Sequence, residues 1–349
     1  PEKYLAAAYL LDRARAAGYE PEIREFLLSI DRPDLTGVAL ATGCDTVWAG
    51  NLDGGICMAT AAGGWDRFEA CCALGHRVMD LDVDPSGRLW AAVGLSGGGL
   101  GALLVSTDGG RSFEERAQGA NVFTLHEVDL AFPPFGVACG SVGTFLVTVD
   151  DGGYWFPVPA PRFSYLGLNG CAMTGPMHIW AVADGGRLFE SVDMGGNWTS
   201  RSLTSQPLRD IDFHESGRGV IVGLEGAWHT ADGGVTWTSS PVPEAMRAVE
   251  MVDSLTAVAA GENGTVWLSE DGGATWASIS AGEPGVWRIA ADTACVWVVG
   301  GEIARRVRLD PPAVEGRWDL SDSLSGINLV FRLPGLREPD RRIVLCAHY

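Results

Sequence analysis

Long apolar runs are missing from this chain. None approaches the ~20 residues that a membrane-crossing helix needs, so no helical anchor is expected in it. Positive charge is also scarce: 25 Lys and Arg face 44 Asp and Glu, a formal charge of −19. So acidic a surface repels phosphate backbones and argues against a nucleic-acid partner, leaving a basic protein patch or a neutral ligand open. The eight Cys (Cys44, Cys57, Cys71, Cys72, Cys139, Cys171, Cys295 and Cys346) form no CxxC pair and no regular ladder. Buried free thiols are the expected state, and the vicinal Cys71–Cys72 pair is the redox alternative. The six His do not cluster at metal-ligand spacing, since His126, His178, His214 and His229 fall in different segments. Neither a metal nor a cofactor is expected. No leader peptide is visible after Pro1, which says little about the compartment.

What the chain has in quantity is glycine, at 47 residues, and tryptophan, at 13, in a length of 349. That pairing suggests repeated tight turns with repeated aromatic plugs, and internal repetition bears directly on the fold. One octad reads Ser106-Thr107-Asp108-Gly109-Gly110-Arg111-Ser112-Phe113. It returns around Asp150, Asp193, Asp232 and Asp271, closing on Trp155, Trp198, Trp237 and Trp276. A degenerate copy, Thr60-Ala61-Ala62-Gly63-Gly64, precedes the first. The chemistry is that of a hairpin turn. Ser or Thr ends one strand, Asp accepts from turn N–H groups, and Gly supplies the positive φ that other residues resist. The aromatic opens the next strand and can fill space between sheets.

A second landmark is an apolar run ending in a small residue, as in Val47-Trp48-Ala49-Gly50 or Val220-Ile221-Val222-Gly223, and it occurs seven times, the last as Val296-Trp297-Val298-Val299-Gly300. Another strand-like run precedes each, such as Val78-Met79-Asp80-Leu81-Asp82-Val83. Four strands in about 40 residues make a propeller blade. The expected fold is all-β: a seven-bladed β-propeller over 35–320 with four-stranded blades. Leu5, Ala8 and Tyr9 follow helical spacing, so 1–34 is expected to be a helical extension. Residues 321–349 are expected to extend the chain or close the ring.

The octads resemble the Asp box, or BNR repeat, shared by sialidases, some endoglucanases, sortilin-type receptors and a photosystem II assembly and stability factor family. The resemblance covers roughly residues 37 to 310. Phrases such as Pro85-Ser86-Gly87-Arg88-Leu89-Trp90, and one propeller with little else, are most similar to the photosystem II factors. That resemblance implies a non-enzymatic scaffold for protein subunits of a larger photosynthetic membrane complex. It further implies a membrane touched only through a partner, and the thylakoid lumen or another extracytoplasmic compartment. It also implies a basic patch, from which the acidic balance here departs.

No catalytic residue is expected. Asp108, Asp150, Asp193, Asp232 and Asp271 recur one per blade toward the rim, so they cannot converge on one substrate and are read as structural. A single-propeller glycoside hydrolase, sialidase-like or glucanase-like, is the alternative. The sialidase Arg-Ile-Pro phrase is absent, however, and the glucanases of this type carry two propellers. Arg209, Arg247 and Arg288 open successive inner strands, with Arg77 near the equivalent place, and acids such as Asp80, Glu127 and Asp210 follow. These groups form either a neutralising belt or a recognition site. The expected partner contacts are Arg77, Arg209, Arg247 and Arg288 on one face, with Arg13 and Arg15 before the propeller and Arg332 and Arg337 after it. Asn197-Trp198-Thr199 and Asn263-Gly264-Thr265 match glycosylation acceptors, but both lie in turns that favour Asn anyway.

Overall fold

The computed structural model describes residues 25–29, 35–40, 46–51, 55–60, 65–69, 76–95, 100–158, 166–280, 288–291, 295–300, 303–308, 320–323, 326–331 and 343–346. The chain divides into two units, Ser29–Ala304 and Pro1–Leu28 with Arg305–Tyr349.

Within Ser29–Ala304, six antiparallel sheets follow one another, each of four consecutive strands: 35–69, 76–123, 125–157, 168–202, 208–240 and 246–280. Blade 5 is typical, with strands Leu208–Phe213, Gly219–Gly223, Gly226–Thr230 and Thr238–Ser240. The first strand of every blade lies innermost. Inner strands of successive blades are neighbours, and Arg288–Ala291 lies between those of blades 6 and 1, closing the ring.

This corrects the expectation of seven blades to a propeller with six. Each octad joins the third strand of a blade to its fourth, and five good copies with one degenerate copy make six. The seventh apolar landmark lies in Cys295–Gly300, which pairs with Arg288–Ala291 as a ladder, and no octad follows it. The landmark therefore runs one ahead of the octads, because a buried second strand does not require an octad after it. The helical extension is corrected too. Glu25–Ser29 is a strand, and no α-helix occurs among the described residues, only 3-10 turns at Ser141–Gly143 and Asp184–Gly186. A short apolar run such as Phe26-Leu27-Leu28 is ambiguous between helix and strand. The rest of 1–34, including Arg13 and Arg15, lies outside the described residues. In the other unit, Leu320–Ser323, Gly326–Phe331 and Ile343–Cys346 form a three-stranded antiparallel sheet. Arg332 and Arg337 lie outside the described residues.

The second strands explain the apolar landmarks. A strand sandwiched between two sheets buries both faces and reads as a continuous apolar run. Leu89, Ala91 and Val93 of blade 2 pack toward Trp48 and Ile56 of blade 1. Trp90 and Ala92, on the other face, pack toward Val128 and Leu146 of blade 3. One such apolar layer separates each described pair of neighbouring blades.

The octad turns lock these layers. In blade 5, Thr230 Oγ1 donates to Asp232 Oδ1 at 2.8 Å and accepts from the Gly234 N–H at 3.0 Å. Asp232 in turn accepts from the N–H and hydroxyl of Thr236, at 2.9 and 2.6 Å. Asp108 and Asp271 close their turns with the same set of bonds, and Asp150 and Asp193 with close variants of it. Gly234 has a φ of +86°, and a Cβ there would stand 2.5 Å from the Trp180 ring of blade 4. Trp237 then meets Trp180 edge-on, with ring centroids 6.3 Å apart. The turn of one blade thus seats on the aromatic of the blade before it. These bonds of the aspartate side chains stay within their own turns.

Candidate functional site

The inner strands surround a central cavity of about 340 Å³, lined by seven carboxylates, Asp80, Asp82, Glu127, Asp129, Asp210, Asp212 and Glu250, and one cation, Arg288. Strand periodicity puts them there. Acids two residues apart, as in Asp80/Asp82, Glu127/Asp129 and Asp210/Asp212, point to the same side of a strand.

Most of these acids join one blade to the next. Asp80 accepts from the Val128 N–H at 3.1 Å and Asp82 from Leu130 at 3.2 Å, linking blade 2 to blade 3. Asp129 accepts from Met173, linking blades 3 and 4. Asp210 and Asp212 accept from Val249 and Met251, linking blades 5 and 6. Glu250 accepts from Ala291, tying blade 6 to the closing ladder. The inner edge of each receiving strand would otherwise offer its N–H groups to the cavity. The geometry repeats: each acid reaches the N–H one residue beyond its own level on the next strand. Blade 4 supplies none of these links, because Gly170 and Ala172 occupy the two levels.

Glu127 has a different partner. Arg288 crosses the cavity, donates from Nη1 to Glu127 Oε2 at 2.8 Å and from Nε to the Met79 carbonyl at 3.3 Å, and also binds the His126 carbonyl. Asp80 stands 3.9 Å from its Nε. Burial works against this guanidinium, but Glu127, Asp80 and Asp210 hold it protonated. The acids respond to the same burial. Burial is the largest cause in each case, raising Asp82 to about 8 and Asp212 to about 7. Asp80 and Asp210 rise only to about 6, because Arg288 opposes the shift. Glu127, Asp129 and Glu250 also rise. Seven carboxylates around one cation cannot all stay ionised.

A second set of links lies where the inner strands begin. His126 donates from Nδ1 to the Leu168 carbonyl at 2.7 Å, which leaves Nε2 to accept from Ser141 Oγ at 3.1 Å. Burial lowers the His126 pKa and favours this neutral ring. Asn169 bonds Asp184 in its own blade and the Leu208 carbonyl of the next.

The four arginines grouped in the sequence therefore part company. Arg288 points into the cavity and is engaged there. Arg247 pairs with Glu262 at 2.7 Å, Arg209 is half-buried, and Arg77 is exposed. The cause is a bulge. In blades 5 and 6 the register shifts between Leu208 and Asp210 and between Met246 and Ala248, so Arg209 and Arg247 sit on the bulge. Arg288 pairs with Val299, as Asp210 pairs with Val222, and so occupies the level after it. One residue of slip turns a side chain to the other side. The belt of arginine and carboxylate exists, but with a single arginine. What sequence reasoning missed was His126 and Asn169, whose bonding partners are far away in the chain.

Cys139 and Cys171 are buried free thiols, as expected for these two, and burial raises the Cys171 pKa. No group of His, Cys, Asp and Glu among the described residues has the arrangement of a metal site.

No family model and no curated protein matches the chain. Among solved structures it is similar to one described as YCF48 bound to D1 peptide, at 15% identity and a TM-score of 0.65, covering 84% of this chain and 98% of that one. YCF48 from Cyanidioschyzon merolae is similar at 15% identity and a TM-score of 0.62, with 82% and 99% covered. The Cps50 (Swd1) β-propeller domain of Myceliophteria thermophila reaches 0.63 at 13% identity, with 82% and 100% covered. At these identities the likeness is one of fold: the chain is an all-β propeller that resembles YCF48 and other propellers.

Proposed function

We propose that this chain is a non-enzymatic protein-binding scaffold, an assembly factor or accessory subunit of a larger, photosynthetic membrane complex. The observation that carries this reading is the fold match to a propeller described as bound to a D1 peptide, which spans nearly all of that chain. The octads support it through their resemblance to the Asp boxes of the photosystem II factors. The cavity chemistry also fits, because six of its seven carboxylates accept from a neighbouring backbone N–H and the seventh binds Arg288. Acids so engaged hold the ring together, and a pair of them acting on a glycosidic bond would have to give up these links.

Partner contacts are proposed for the arginines at the inner-strand starts, Arg77, Arg209 and Arg247, together with Arg13, Arg15, Arg332 and Arg337. Arg288 acts from inside, tying its own strand to the inner strands of blades 2 and 3. Affinity purification from the native source with mass spectrometry tests the reading. Recovery of subunits of one complex, lost in Arg209→Glu/Arg247→Glu with an unchanged melting curve, is expected. Recovery of no partner, or hydrolysis of sialosides or β-glucans that vanishes with one cavity carboxylate, would overturn it.

A further inference from the structure

The exposed apolar side chains are not scattered. Eight large ones stand out among the described residues, and all but Val142 belong to one set of turns or stand directly beside it. These turns share a face of the propeller. The turn between the first and second strands of a blade bonds the octad turn of the same blade in four successive blades. The bonds run from the Asp151 N–H to Pro134 O, Met194 to Met177, Gly233 to Gly217 and Gly272 to Leu255. Val149 and Tyr154 project from blade 3, Met177 and Val192 from blade 4, Val235 from blade 5 and Leu255 from blade 6. Val192 is 66% and Val235 71% exposed. Blade 2 has Thr107 and Arg111 in its octad, so among the described residues the apolar band lies in blades 3 to 6.

Turn chemistry does not ask for these residues. The octad needs its Ser or Thr, its Asp, a glycine and the closing aromatic, while the positions between them are free. An exposed Val there adds nothing to the turn's hydrogen bonds, and Tyr154 meets the exposed Phe156 edge-on at 4.6 Å. The charge around the band is mostly negative, with Arg88 of blade 2 paired to Asp151 at 2.8 Å and Arg201 of blade 4 bonded to the Val235 carbonyl at 2.9 Å. The octad aspartates are joined by Asp151, Glu215, Asp253 and Glu270, and Arg218 is the one arginine in these turns. Apolar knobs set among carboxylates complement a segment that presents both apolar and basic side chains.

We propose that the octad-turn face of blades 3 to 6 is a second docking surface, and that its occupant is a basic amphipathic segment of a partner protein. The inference rests on the protein-binding reading above and adds a place and a chemistry to it. The arginine-bearing inner-strand starts and this acidic, apolar face would then hold partner segments of opposite charge.

The test uses the whole chain and a 14-residue synthetic peptide of alternating Leu and Lys blocks, with its Lys→Glu counterpart as control. Val192→Asp/Val235→Asp removes two knobs and makes the face more negative. If charge alone attracts the peptide, this variant binds as well as the wild type or better. If the apolar band matters, it binds at least tenfold more weakly, and that is expected. Val192→Ser/Val235→Ser is expected to weaken binding in the same direction, and it serves should the aspartates disturb the turns. Arg209→Glu/Arg247→Glu should bind the Lys peptide as the wild type does. Binding undiminished in both valine variants, equal binding of the Glu peptide, or no binding by the wild type would overturn the proposal. The scaffold reading fails separately, when the wild type recovers no partner from the native source.

Discussion

Asp212 and Asp232 belong to the same blade, yet burial pushes the first up to about 7 while hydrogen bonds from Thr236 and Thr230 hold the second near 2. The same contrast runs through the molecule. At the rim, Asp108 is held at about 2, chiefly by the Ser112 hydroxyl and N–H, and Asp150, Asp193 and Asp271 also lie low. In the cavity every acid is raised. Both sets accept from backbone N–H groups, so hydrogen bonding alone does not separate them. Water does. A rim carboxylate keeps its hydration and gains donors, whereas a cavity carboxylate loses hydration and gains like-charged neighbours. The rim therefore closes turns within a blade, and the cavity joins blades at a cost that rises with pH.

Removing the single cavity cation should break that contrast most severely. Arg288→Met leaves Glu127 and Asp80 without a counter-charge, and about 3–5 kcal/mol should be lost at pH 8. At pH 5 the acids can take up protons, so the loss should be smaller. Chemical denaturation at the two pH values reads this directly. Equal losses at both would mean that Arg288 matters for packing and not for charge.

Gly234→Ala should come next, at about 3 kcal/mol. It forces a side chain to adopt a φ of +86° and drives a Cβ to 2.5 Å from Trp180, a ring that is fully buried. Calorimetry should show the same loss at pH 5 and pH 8, since no titrating group is touched. A loss that grew with pH would tie the rim turn to the cavity.

The rim was legible in the sequence because its chemistry is local. Ser or Thr, Asp, Gly and an aromatic lie within eight residues and say what each does, and the octads count the six blades. The cavity was only half legible. Acids at alternate positions, as in Asp80/Asp82 and Asp210/Asp212, announce one shared face. Which backbone N–H each reaches depends on the neighbouring strand, 39 to 48 residues away for the pairs at Asp210 and Asp80. The arginines were grouped as one kind because each opens an inner strand. The bulge that separates Arg209 and Arg247 from Arg288 leaves no mark in composition. The apolar landmark misled for a related reason: it reports burial of a second strand on both faces, which does not depend on an octad following it.

Asp82→Asn should sharpen the contrast by acting in the opposite direction, as a stabilising change. The folded pKa of Asp82 is raised, so its contribution is fully present below the unfolded value near 4 and is lost as pH rises through about 8. Asparagine keeps the acceptor for the Leu130 N–H without the charge. The variant should match the wild type near pH 4 and gain on it steadily up to pH 8, by more than about 2 kcal/mol. A variant less stable than the wild type at pH 8 would show that the ionised carboxylate is worth its burial.

Asp232→Ala should have the smallest effect, with the reverse pH signature. Its folded pKa is depressed, so the stability it contributes is present above the unfolded value near 4 and is lost as pH falls through about 2. The carboxylate is solvated, and water can replace much of what the turn loses. The Thr230 hydroxyl still holds the Gly234 N–H, so the hairpin keeps one of its anchors. The melting temperature should fall modestly at pH 7, less than for Gly234→Ala, and the two curves should converge as pH approaches 2. Cavity titration, followed by the carboxyl NMR signals of Asp210 and Asp212, should not move. Recovery of the partner held through Arg209 and Arg247 should also be unchanged, because the Asp232 side chain is spent on Thr236 and Thr230 within its own turn. Partner binding lost at an unaltered melting temperature would make the octad aspartates recognition groups, and the division of labour between rim and cavity would not stand.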